Sequence, residues 1–112
     1  MARTRRAVRI WAFATALLLA FGAGAASSAD FACGGFLRMH GMLRRATAAC
    51  GFTAYNPDIV DRARACFDAL GSRRGAEEMY AGAAEFERWQ SIRQRDTLCA
   101  TFAAKFPMVI QP

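Results

Sequence analysis

The chain is poor in the residues that catalysts and redox proteins depend on. Its 112 residues include one histidine, His40, and one lysine, Lys105, and its four cysteines are widely spaced. A single imidazole restricts acid-base and metal chemistry near neutral pH. The absence of Cys-x-x-Cys removes the usual poised redox pair, haem attachment and zinc-ribbon ligation. No apolar run approaches the roughly 20 residues of a spanning helix, and no segment alternates for long enough to make a useful strand. Acidic residues are missing altogether from the first 29 positions, Asp30 being the first.

That last absence accompanies a pattern. Arg3, Arg5, Arg6 and Arg9 precede the uncharged run Ile10 to Phe21, and small residues lead from there to Ala29. This is the layout of a secretory signal peptide, expected over residues 1–29. Cleavage after Ala29, with Ser27 at the upstream small position, is favoured over cleavage after Ala25; an uncleaved anchor is the less favoured alternative, the apolar stretch being short. Thr4-Arg5-Arg6 resembles the opening of a twin-arginine signal, but Arg9 falls where that signal takes an apolar residue, so ordinary leader charge explains it better. Export would place the remainder, 30–112, in the periplasm or outside the cell, with membrane contact only through the leader during export.

The leader also accounts for most of the basic character. Four of the fifteen basic residues lie in it and none of the nine acids, which leaves eleven against nine and a net charge of +2. Nothing in that balance points to nucleic acid. Fourteen arginines to one lysine, with heavy alanine use, suit a GC-rich bacterial genome.

A domain of this size has a core that supplies only a few kcal/mol by itself. Cys33, Cys50, Cys66 and Cys99, even in number and bound for an oxidising compartment, are therefore expected to form two disulfides. Four cysteines permit three pairings. Successive antiparallel helices favour Cys33 with Cys66 and Cys50 with Cys99, while the other two pairings stay open at this level.

Periodicity predicts an all-α fold, a small three-helix antiparallel bundle preceded by a signal-peptide helix. The first helix is expected from about Phe36 to Ala49, with Met39, His40, Leu43 and Ala46 inward and Gly51 as its stop. The second opens on Asn56-Pro57-Asp58, a cap, a first-turn proline and an acid at the positive end, and closes at Gly71. Asp58 with Arg62 and Arg64 with Asp68 are spaced for ion pairs along it. The third is expected as one long helix from about Ala76 to Phe106, with Met79, Gly82, Phe86, Trp89, Ile92, Cys99, Phe102 and Phe106 inward and Pro107 ending it. Gly82 marks a close crossing or a bend. On a straight helix that long, Cys99 overshoots Cys50. The tail Met108 to Ile110 is expected to fold back over the bundle.

Candidate sites are few. Met39, His40 and Met42 together suit Cu(I) chemically, but on a helix His40 points away from Met42, which favours a packed histidine. Glu78 and Glu85 share a face without a cleft to act across, so Glu77, Glu78, Glu85 and Glu87 read as solvated helix faces. Ser72 and Ser91 lack any nucleophile motif. No catalytic residue, metal site or cofactor-binding motif is assigned. The aromatics are too many for a bundle this small to bury entirely, and Tyr80, Trp89 and Phe102 are the expected partner surface, facing an unidentified protein or a second copy. The function expected is a non-enzymatic binding or structural module of the bacterial envelope. A stress chaperone that exposes aromatic surface on acidification is the alternative, and envelope metal or redox handling a third.

Overall fold

The computed structural model describes residues 28–111, with side-chain environments from Ala32 onward. Residues 1–27, which carry the arginines, the apolar run and Ala25 of the expected leader, lie outside the described residues. Six elements follow in order: α1 (Ser28–Cys50), β1 (Ala54–Tyr55), α2 (Pro57–Leu70), α3 (Ser72–Ile92), α4 (Arg95–Lys105) and β2 (Ile110–Gln111). The domain is mostly helical, with four helices where periodicity predicts three. Among the described residues no helix is long and apolar enough to cross a membrane.

The added helix comes from a break at Arg93 and Gln94, both in extended conformation with ψ of 147° and 135°. No glycine or proline marks this point, so local propensity carries no signal for it. The cause is tertiary: the turn swings α4 back toward the end of α1, where Cys99 bonds to Cys50 and Leu98 and Phe102 enter the core. Arg95 secures the start of α4 by donating to the Ala49 carbonyl, one of the free acceptors at the end of α1. A straight helix would have carried Cys99 beyond reach, so the bend falls eleven residues after Gly82 rather than at it.

Gly82 instead makes the close crossing. A Cβ there would overlap the backbone carbonyl of Arg38 on α1, and a Cβ on Gly41 would overlap the backbone of Met79 on α3. The two glycines lie reciprocally in each other's helix, so α1 and α3 approach backbone to backbone. Arg38 bonds to Glu78 at 3.0 Å and Arg45 pairs with Glu87 along the same seam. These pairs are exposed and each contributes at most about 1 kcal/mol, but they set which acids of α3 face which arginines of α1.

α1 starts earlier than its apolar stripe because the Cys33–Cys66 bridge anchors the turn that contains Gly34 and Gly35. In α2 the Asn56 side chain accepts from the Asp58 N–H at 2.9 Å and Pro57 occupies the first turn. The expected i,i+4 ion pairs of this helix do not form: Arg64 lies 3.9 Å from Asp61, and Arg62 sits over the Phe36 ring. Asn56 has a second task, since its backbone and side-chain N–H groups donate to Val109 and Met108 and hold the tail. β1 and β2 pair antiparallel there, Tyr55 opposite Ile110, an element too short for period-two patterning to reveal.

The core has two lobes. Leu43, Ala46, Phe86, Leu98, Phe102 and Ile110 form the larger, with Phe86 and Phe102 edge to face at 5.3 Å. Leu37, Ala63 and Cys66 form the smaller, beside the Cys33–Cys66 bridge.

Candidate functional site

The inward stripe expected of α3 ends near Trp89. Ile92 is 73% exposed and Trp89 37%, because the turn at Arg93 directs the end of α3 away from the core. Between α3 and α4 lies an open groove of about 210 Å³. Trp89 lines one side, Leu98 and Phe102 of α4 and the following Phe106 the other, and Met42 of α1 contributes as well. Glu85, Arg93 and Lys105 supply its charges. An adjoining hollow is lined by Glu85, Arg88, Trp89 and Ile92. The Arg93 guanidinium stacks over the Trp89 ring at 4.8 Å, an arrangement that holds both at the edge of the groove.

Of the three residues expected to form a partner surface, the structure brings two to this groove. Phe102 contributes from within the core, packed between Phe86 and Phe106. Tyr80 is 76% exposed but stands nine residues before Trp89, about half a turn round the helix, and faces elsewhere. Arg93 and Met42 line the groove, and Ile92 the adjoining hollow, without having been expected at a partner surface. Ile92 reads as core by periodicity, and only the break after it shows otherwise.

His40 is buried and shares a 2.8 Å hydrogen bond between its Nδ1 and the Tyr55 hydroxyl, joining α1 to the β1–β2 clasp. Arg44 lies over the Tyr55 ring at 5.0 Å. Burial, reinforced by the Arg44 charge, pushes the His40 pKa below its ordinary 6.5, and burial raises Tyr55 to about 12, so both groups are neutral at physiological pH. Met39, His40 and Met42 do not converge: His40 lines a hollow with Val60 and Phe67, whereas Met42 lines the α3–α4 groove. Among the described residues no group of three His, Cys, Asp or Glu side chains is placed to hold a metal. Glu78 is engaged with Arg38, whereas Glu85 lines the groove with Arg93 and Lys105.

The lowered His40 pKa predicts acid sensitivity. Stability from the neutral imidazole is complete above pH 6.5, where folded and unfolded chains are both unprotonated. It is lost as the pH falls below 6.5 and through the lowered folded value, because the unfolded chain takes up the proton first. Melting curves between pH 8 and pH 5 should show this decline in the natural chain and a flatter profile in His40→Gln; parallel profiles would assign the sensitivity to other groups.

No protein-family model matches the chain, and no curated protein or solved structure matches it significantly.

Proposed function

We propose that this is an exported, disulfide-held binding module of the bacterial envelope, without catalytic activity of its own. The observation that carries the reading is the groove between α3 and α4 with its adjoining hollow, where Trp89 and Ile92 remain accessible side by side, whereas the other exposed large apolar side chains, Tyr80 and Met108, stand apart from both. Aromatic anchors flanked by charge are the usual composition of a protein contact. The leader pattern and the two disulfides support an oxidising destination.

A photo-crosslinking residue at position 92 in living cells tests it. Discrete adducts at position 92 and none at the exposed Arg73 are expected. Equal or absent labelling at both would remove the reading, and a cytosolic precursor with four free thiols would remove the destination.

A second reading rests on His40. Protonation at its buried place beneath the tail clasp would loosen Tyr55 and Ile110 from the core, as an acid-activated chaperone requires. Binding of a hydrophobic dye near pH 5, with protection of a model client and loss of both in His40→Gln, would favour this reading over the first.

A further inference from the structure

We infer that the partner at the α3 face is a second copy of this chain, packed antiparallel across a two-fold axis that passes beside Trp89. The inference rests on the binding reading and names its occupant. Positions 85, 88, 89 and 92 are spaced i, i+3, i+4 and i+7, the stripe by which one helix lies against another, and their side chains line one hollow. Folding leaves that stripe open at its apolar positions, Trp89 and Ile92.

Charge selects the occupant and its direction. Glu85 precedes Trp89 by four residues and Arg93 follows it by four. Among the described residues neither forms a salt bridge within the chain, and the same holds for Arg88 in the hollow itself, so the charges of this face are open to a partner. Arg93, the cap residue after α3, is held at the edge of that hollow by its contact with the Trp89 ring, and Glu85 lies about 6 Å back along the axis. When two such helices pair antiparallel about Trp89, position 85 of each copy comes opposite the Arg93 cap that ends the other's α3. Two complementary pairs then form around two apposed tryptophans, with Ile92 covering the side of the contact. Parallel pairing would set Glu85 against Glu85 and Arg93 against Arg93. An isologous contact requires a self-complementary patch, and equal spacing of opposite charges about an aromatic centre supplies it.

Equilibrium sedimentation of the oxidised, purified chain over a concentration series should give a reversible dimer. Glu85→Arg and Arg93→Glu should each weaken dimerisation by at least about tenfold, and the Glu85→Arg/Arg93→Glu double variant should recover most of that loss, because the exchanged charges again face each other. Circular dichroism of each variant confirms that the monomer fold is intact. A single-chain mass at every concentration would overturn the inference, as would a dimer indifferent to both charge reversals or one that the exchange does not restore. A monomer that still crosslinks through position 92 to a different envelope protein would end the self-pairing and leave the binding reading in place.

Discussion

Replacing Cys50 and Cys99 together by alanine is expected to lower the unfolding free energy by about 4 kcal/mol. The bridge closes a sequence separation of 49 residues, and the chain-entropy relation for a loop of that length gives about 4 kcal/mol at 25 °C. A domain of this size has a total margin of about 4 to 12 kcal/mol, so one bridge is a large share of it. The midpoint of thermal unfolding should fall by about 15 to 30 °C. The Cys33–Cys66 bridge spans 33 residues and contributes a similar amount by the same relation. Reducing both bonds should therefore leave the chain largely unfolded, visible as loss of near-ultraviolet dichroism on addition of a thiol reductant. A double-alanine variant less than about 1 kcal/mol below the natural chain would show that the core holds itself together.

The second large effect is expected at Gly82. Mid-helix glycine costs roughly 1 kcal/mol relative to alanine, so a larger residue would stabilise α3 if the site had room. It has none, because the first atom of any side chain meets the Arg38 backbone rather than a movable side chain. Gly82→Val forces α1 and α3 apart along the seam that carries Gly41, Leu43 and Phe86. We expect a loss of about 3 kcal/mol, the upper part of the range for overpacking, since no rotamer change relieves it. Urea unfolding of Gly82→Val beside Ala84→Val, an exposed position on the same helix, separates crossing from propensity. Equal losses in the two would place the cost in propensity alone.

Much of the framework was readable in the residues. Asn56-Pro57-Asp58 announces the start of α2, because capping is a local matter of one side chain and the next two N–H groups. Gly82, a conformationally costly residue inside a strong helix pattern, announces a close crossing or a bend, and the crossing is what forms. The apolar tail reads as folded back, and Ile110 is indeed wholly buried, while Met108 beside it is exposed. The end of the presumed third helix was different. Ile92-Arg93-Gln94-Arg95 carries helix-compatible residues throughout, and the periodicity of Trp89, Ile92 and Cys99 runs smoothly across the break. The candidate site depends on that break, so its membership could not be assembled from periodicity: Ile92 changes from core to surface and Phe102 remains core.

The residues alone determined a helical domain with the cysteines for two sulfur bridges, with helix starts and stops written in caps, glycines and prolines. Those features act over a few residues and leave their mark in local composition. Tertiary structure decided where the last helix turns, which aromatics stay outside, and how His40 is shielded beneath Tyr55. Each depends on contacts between segments far apart in the chain: the pull of Cys50 on Cys99, the backbone contact of Gly41 and Gly82, and the return of Ile110 to Tyr55. Such long-range contacts override a weak local preference for continuing a helix, which is worth only tenths of a kcal/mol per residue.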